Sequence, residues 1–433
     1  MPRYIVVFAI LLLGLLVIIG CDDRGTGIVT TDLGTLEFGA GIDPSRDHVF
    51  QPALTLQFRN PTELLLGAAY LPEEVFPPAR PVPMLVLLAP EYGDKLYYFR
   101  AGLEQLMKEM TASGEIEPMV VYCISNPSVF GGFFYGSSGP AGQYDDILGD
   151  SLVAFLNNFI PAIIDDPSKR GIGGIGQGAY GAFRTAIKNP GLYSSVSAAD
   201  GPLDFDGPSG NGGLIPLFDS ALAEQLAYYN TKPVSDTVSF VFNRDWDTTA
   251  AAMFPKAISQ WMVGASFAFS PDDTLIEFDR QIINNSIRVN ILNKESIADS
   301  TAPGGGDSTT LVDSVVTNSA DPLKDYDFHL PFDGTGSPYG PIWDLWMANN
   351  LEDMHDAHGG RPLDGVNIWV ASNPDARWNY YEMTQSWISF LQSNNYAVDE
   401  YEYSNFNGPV EFDEALFDIL REMLKFHSDN FSN

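Results

Sequence analysis

The residues best placed to do chemistry lie in one short run, Arg170-Gly171-Ile172-Gly173-Gly174-Ile175-Gly176-Gln177-Gly178-Ala179-Tyr180-Gly181-Ala182. An apolar stretch ends there in a glycine-dense turn, and a helical pattern begins. Such a strand–turn–helix, written G-x-S-x-G, holds a serine on a sharp bend where its hydroxyl can attack an acyl carbonyl, and the flanking glycines let strand and helix pack closely. Here Gly174 and Gly178 frame the bend, and Gly176 stands where the serine would be. Glycine has no side-chain oxygen, so no acyl-enzyme can form at that position. The bend costs an ordinary residue about 1–3 kcal/mol of strain, whereas glycine adopts it freely. A site released from chemistry is therefore expected to drift to glycine. The backbone N–H of Gln177 stays a candidate oxyanion donor.

A second chemically meaningful residue is Cys21. Arg3 and the amino terminus form a short positive region, and Ile5 to Ile19 then runs apolar without a charge. That run, about fifteen residues, is a signal-peptide length and falls short of the roughly 20 a spanning helix needs. It ends Ile18-Ile19-Gly20-Cys21, which resembles a lipobox: a small residue before the cut and a cysteine after it. Only a cysteine thiolate can take a thioether-linked lipid, and acylation at thiol and amine would hold the chain firmly to a membrane. We therefore expect a signal peptide over 1–20, a lipid-anchored tether over 21–45 and an exported protein in the bacterial cell envelope, facing the periplasm or the cell surface. With Cys21 lipidated, Cys123 has no partner for an intramolecular disulfide. It sits in Met119–Ile124, a buried-strand pattern, where it reads as a small apolar filler.

Other constellations are weaker. Glu352, His355 and His358 are spaced to share a helix face, as metal ligands sometimes do, but they read equally well as a solvated helix end. Ser137 and Ser138 are hydroxyls near the expected site without a neighbouring histidine, and they read as loop or capping residues. The Gly171–Gly181 run lacks the lysine of a phosphate loop. No metal or cofactor is expected. Net charge is −33, from 56 acidic and 23 basic residues, so the surface repels phosphate backbones and nucleic acid is excluded as a partner.

The elements that must position these residues follow from periodicity. Strand-like runs fall at Ala53–Phe58, Leu64–Leu71, Met84–Ala89, Met119–Ser125, Gly171–Ile175, Ser195–Ala199, Val366–Ala371 and Val398–Tyr403. Helical spacing covers Tyr97–Thr111, Tyr144–Ile164, Ala179–Lys188, Tyr380–Leu391 and Glu411–Phe426. Buried strands alternating with helices from residue 83 onward mean an α/β domain, a mostly parallel sheet covered on both faces, over about 46–433. The first two runs suit an antiparallel hairpin at the sheet edge. From about Asp204 to Arg361 the alternation stops, which we read as a cap insertion containing a Ser/Thr/Gly-rich loop, Asp299 to Asp321. Its Trp246, Trp261, Trp343 and Trp346 are candidate pocket or partner surfaces, with core packing the plainer role for most of them.

The run at Arg170–Ala182 resembles that of the esterase D and mycolyltransferase-like branch of the α/β-hydrolases, R-x-I-x-G-x-S-M-G-G-Y-G-A. Pro83–Glu91 resembles the family's strand leading to the oxyanion loop. Phe134–Gly139 with the helix from Tyr144 resembles the segment before its long helix, and Met423–Ser428 its last helix. The likeness covers about Ala53–Leu203 and Val366–Ser428. It implies an α/β-hydrolase fold, ester hydrolysis and a serine–histidine–acid triad. The departures are Gly176 at the nucleophile, no histidine in Asn405–Glu411 where the family places one, and Ala89-Pro90 where it has His-Gly. Proline has no N–H, which removes one oxyanion donor. The five histidines are His48, His329, His355, His358 and His427, none at the expected strand end. Asp375 falls where the family's acid would be, or is simply a loop residue after Pro374. Two readings follow: a binding protein that kept the pocket and lost the chemistry, or an active carboxylesterase whose serine and histidine lie outside the motif.

Overall fold

The computed structural model describes residues 49–50, 53–57, 62–124, 131–138, 142–207, 212–230, 258–271, 329–332, 336–404 and 414–432. The lipobox and Cys21, the tether, His48, Trp246, the Asp299–Asp321 stretch and the Asn405–Glu411 loop lie outside them.

Met84–Leu88 and Val120–Ile124 are continuous apolar runs in which every residue is buried. Strands without polar alternation must be covered on both faces, as in a parallel sheet. Among the described residues the sheet has nine strands: β1 Val49–Phe50, β2 Ala53–Gln57, β3 Thr62–Tyr70, β4 Met84–Leu88, β5 Val120–Ile124, β6 Arg170–Ile175, β7 Ser195–Ala199, β8 Asn367–Ser372 and β9 Val398–Glu402. Their order is β1-β3-β5-β4-β6-β7-β8-β9, with β2 also on β3. Every pairing from β5 to β9 is parallel, and β3 runs antiparallel to β1, β2 and β5. This is an α/β-hydrolase fold, and all eight expected strands are present within a residue or two of their expected ends. Two-residue β1 is too short for any periodicity to announce it. Edge strand β9, Val-Asp-Glu-Tyr-Glu, is largely exposed, and its acids keep the open edge from pairing with another chain.

The helices are α1 Tyr97–Arg100, α2 Leu103–Ser113, α3 Leu152–Phe159, α4 Gln177–Lys188, α5 Phe218–Asn230, α6 Ile258–Phe269, α7 Gly340–Met347, α8 Leu351–Ala357, α9 Tyr380–Ser393 and α10 Glu414–Phe431. One face of the sheet packs on Leu103, Leu106, Met107 and Met110 of α2 and Leu416, Ile419, Leu420 and Met423 of α10. The other packs on α3, α4, α6 and α9 through Leu156, Phe183, Trp261 and Trp387. Two expected helices are interrupted. Tyr97–Thr111 breaks into α1 and α2 at left-handed Gly102. Tyr144–Ile164 passes through a widened turn, Ile147–Ser151, where Gly149 leaves the helical conformation before α3 begins. Between β7 and β8 the described chain holds α5 to α8, and every residue of α6 is buried.

Candidate active site at the glycine elbow

β6 is buried throughout and ends at Ile175. Gly176 follows with φ 59° and ψ −126°, and α4 begins at Gln177. The bend is pinned by the Gly176 N–H, which donates to the Ala199 carbonyl at 3.0 Å. Packing around it leaves no room for side chains: a Cβ on Gly178 would lie 2.0 Å from the Leu88 carbonyl oxygen, and one on Gly174 would lie 2.3 Å from the Gly178 carbonyl carbon. The bend has the geometry that presents a nucleophile in a G-x-S-x-G turn, with no side chain at its apex.

The Gln177 N–H opens α4, where the helix dipole favours negative charge. It donates to Glu91 Oε2 at 3.0 Å. The other carboxylate oxygen, Oε1, accepts from the Tyr380 hydroxyl at 3.1 Å. Glu91 is 1% exposed. Burial pushes its carboxyl pKa up, opposed by the Gln177 N–H, its own N–H, the charge of Arg377 and the Tyr380 hydroxyl. The chain thus sets a side-chain carboxylate of its own on the amide expected to receive a substrate oxyanion. The Gln177 side chain faces the other way, its Oε1 accepting from the Phe134 N–H at 3.3 Å and so fixing the loop of Phe134 over the elbow.

A second buried acid stands at the same end of the sheet. Asp200 follows β7 and is 1% exposed. Its Oδ1 accepts the Asn373 N–H at 3.0 Å, and its own N–H donates to the Ala371 carbonyl at 3.2 Å. Burial, with the charge of Glu91 adding to it, pushes its carboxyl up to about 7 against the hydrogen bonds from Tyr403 and Asn373. Both acids were missed in the sequence. The available signal was position, since each stands within three residues of the carboxyl end of a fully buried strand.

Backbone strain gathers here too. Among the described residues seven non-glycine positions have positive φ, and six of them, Tyr92, Phe134, Tyr135, Asp200, Trp378 and Asn379, lie in the loops that follow β4, β5, β7 and β8. α6 covers these loops. Trp261 is fully buried with its ring 4.6 Å from Phe134 and 5.8 Å from Trp378, and Gln260 Oε1 accepts from the Tyr92 hydroxyl at 3.5 Å. The Arg377 guanidinium lies 3.7 Å over the Trp378 ring.

The remaining candidates fall elsewhere. Asp375 is exposed on the turn after β8, and its N–H bonds to Asn373 Oδ1 at 3.0 Å. The structure does not bring it together with Glu91 or Gln177 through any hydrogen bond. Ser137 and Ser138 form a two-residue strand paired antiparallel with Gly142–Gln143 rather than a loop, Ser137 accepting the Asp145 N–H at 2.8 Å and Ser138 donating to the Phe267 carbonyl at 2.7 Å. Cys123 is buried, and burial raises its thiol pKa. His355 is buried, with Nδ1 3.0 Å from Asp356 Oδ1 and Nε2 3.0 Å from the Tyr396 hydroxyl. His358 is exposed. Burial and the charges of Asp204, Asp206, Asp353 and Asp356 push Glu352 up to about 8. Among the described residues no cluster of three histidine, cysteine or acidic side chains is arranged to hold a metal. Trp261 and Trp346 are fully buried in the core, and Trp343 is half-buried. A serine–histidine contact does exist, but in the core: His427 of α10 lies 2.7 Å from Ser195 Oγ and 2.8 Å from Ser197 Oγ.

No family model matches this sequence, and no curated protein matches it. Solved structures do. A ferulic acid esterase is 11% identical with a TM-score of 0.48, covering 89% of this chain and 99% of its own. An S-formylglutathione hydrolase from Agrobacterium tumefaciens is 12% identical with a TM-score of 0.47, covering 89% and 96%. MPT51 of Mycobacterium tuberculosis is 11% identical with a TM-score of 0.43, covering 86% and 98%. Each is a likeness of fold that runs over most of this chain.

Proposed function

We propose that this chain is a membrane-anchored lipoprotein whose esterase-like domain has lost its chemistry and acts by binding a ligand or partner. The observation that carries the reading is the pair at the elbow. Gly176 offers no nucleophile, and the Glu91 carboxylate already takes the Gln177 N–H that a tetrahedral intermediate would need. Pro90, which has no N–H to give, stands one residue before Glu91. Triad members act as a unit, so losing one removes most of the rate gain. The strained loops favour binding over simple decay. Each positive-φ side chain costs about 1–3 kcal/mol, and selection for stability alone would relieve that strain.

The test is purified protein against p-nitrophenyl acetate and butyrate. We expect no hydrolysis above the buffer rate. Saturable turnover, abolished by replacing one particular serine or histidine, would put an active carboxylesterase in place of the binding protein. The anchor is tested separately. Cys21→Ser is expected to leave the precursor uncleaved and without lipid, and normal processing and membrane retention of that variant would refute it.

A further inference from the structure

We propose that the proline-lined groove at the amino-terminal pole of the sheet is a membrane-contact surface: it lies against the phospholipid bilayer to which the lipid on Cys21 holds the chain, and it turns the glycine elbow away from that bilayer. This rests on the lipoprotein reading above and adds which face the anchored domain presents. The groove encloses about 250 Å³ between Val75, Pro77, Pro81, Ile160, Pro161 and Ala162. That falls short of the roughly 300–1,000 Å³ of a cleft that buries a drug-sized ligand, and Pro77, Pro81 and Pro161 on its walls are exposed. It is an open apolar surface. Pro78 and Ala79, which join those walls along the chain, are exposed as well. A chain of net charge −33 thus shows water an apolar patch here, and the charge within residues 77–82 is the single cation of Arg80.

Two observations select a bilayer as the occupant. The first is where the chain enters the fold. Val49, at the start of β1, pairs with Tyr70, and Tyr70 pairs with Val121 near the start of β5. The groove lies at that same pole, since Val82, two residues before β4, pairs with Ile163, whereas Gly176 follows the far end of β6. Cys21 stands 28 positions before Val49, so even fully extended that stretch spans no more than about 100 Å. Any shorter path brings this pole to the bilayer before the elbow. The second observation is that the surface leaves water cheaply, because backbone groups entering lipid must be satisfied within the protein. Pro77, Pro78, Pro81 and Pro161 have no N–H to strand. The Arg80 N–H already donates to the Glu74 carbonyl at 2.7 Å, and the Val82 N–H to the Ala162 carbonyl at 2.9 Å. The Arg80 side chain is 72% exposed and meets Glu74 at 2.8 Å, a surface pair that contributes little, so its guanidinium suits a lipid phosphate. Glu73, Asp165 and Asp166 of the adjoining segments are exposed, which favours zwitterionic over anionic lipid.

The experiment places the full lipidated protein in phosphatidylcholine vesicles and reads a nitrobenzoxadiazole label at Ala79→Cys or at Asp375→Cys. With Cys21 lipidated and Cys123 buried, the introduced cysteine is the thiol that reacts. Both positions are exposed, 79 on the groove loop and 375 on the turn after β8 at the opposite pole. An interfacial apolar face sinks about 5–10 Å into the headgroup boundary, so doxyl groups on the lipid tails should quench the label at 79 at least about twofold more than at 375. Aqueous iodide should show the reverse order. Adding Pro161→Asp, which puts a charge on an exposed groove wall, should at least halve the lipid quenching at 79. Should that variant melt lower than its parent, Arg80→Glu takes its place with the same loss expected. Labels equally quenched by lipid, or more strongly quenched at 375, would overturn the proposal, as would quenching at 79 that neither substitution reduces. A mature protein found by mass to carry no lipid would sink the anchor reading and this proposal with it. Lipid on Cys21 with position 79 open to iodide would sink this proposal alone.

Discussion

Two buried polar clusters sit at different levels of the parallel sheet, and each holds part of what a serine hydrolase needs. In the body of the sheet, Ser195 and Ser197 of β7 flank His427, and all three side chains are buried. The imidazole contacts a hydroxyl through each ring nitrogen, and because burial disfavours the charged ring, one nitrogen donates and the other accepts. Burial holds its pKa down at about 3. Such an imidazole is too weak a base to activate a hydroxyl near neutrality, and no bend presents either serine. At the carboxyl ends of the strands the bend, the helix N-terminus and the strained loops are all in place, but Gly176 and Glu91 occupy them. The lesson is that residue types and site geometry separate cleanly. Serine and histidine within hydrogen-bond distance make a core knot when both are buried in the body of the sheet, and a strand–turn–helix bend can carry no side chain at its apex.

The comparison breaks first at His427. His427→Ala would leave two buried hydroxyls unpaired and open a cavity, at an expected cost of about 3–5 kcal/mol, read by urea unfolding, with no change in esterase background. The sign with pH follows from the lowered pKa. Between its ordinary 6.5 and about 3, the folded chain holds fewer protons than the unfolded one, so this contribution is full near neutrality and is lost as pH falls through that window. The gap between wild type and His427→Ala should therefore narrow on acidification, and a gap independent of pH would argue against a neutral, buried ring.

At the other cluster, Gly176→Ser is expected to cost about 1–3 kcal/mol as strain returns to the bend. It should give no hydrolysis, since among the described residues no hydrogen bond brings a histidine to the bend and Glu91 holds the Gln177 amide. Recovered turnover would mean that a base and an oxyanion site had survived. Asp200→Asn should act more gently and in the opposite sense to His427. With its carboxyl raised from 3.8 to about 7, the folded chain binds the extra proton, so stability falls as pH rises through that window. Removing the charge should raise the melting temperature in mildly alkaline buffer, by the equivalent of about 1–2 kcal/mol, and change little in acid. A variant less stable than wild type in alkaline buffer would show that ionised Asp200 is satisfied by its partners.

Much of this was legible in the sequence because it is local. The Ser195–Ala199 strand appears with the ends its apolar run marks, and the Gly174–Gly178 bend needs only neighbours a few residues apart. The occupants of the site were not legible because their roles are made by distant partners. Glu91 looks like an ordinary loop acid until Tyr380, 289 positions later, lands on it. Asp200 depends on Asn373, 173 positions away, and His427 on serines 232 and 230 positions away. No periodicity spans such separations.

The smallest expected effect separates the two aspartates most sharply. Asp375 stands where the resemblance places the family's acid, but it is exposed, and the hydrogen bond given to it is a local one, its own N–H on Asn373 Oδ1. That contact uses the backbone, so Asp375→Ala keeps it. Surface substitutions away from caps, strain and buried charge usually stay within about 0.5 kcal/mol, and the same is expected here. Asn373 is the sharper control, because its N–H and its side chain both serve Asp200, while its Oδ1 also takes the Asp375 N–H. Asn373→Ala keeps the backbone bond and loses the side-chain ones, so it should disturb the turn and raise the Asp200 carboxyl further, steepening the loss of stability towards alkaline pH. If Asp375→Ala instead shifted the alkaline melting temperature as Asp200→Asn does, the two carboxylates would be coupled and the acid of the resembled family would still belong to the site.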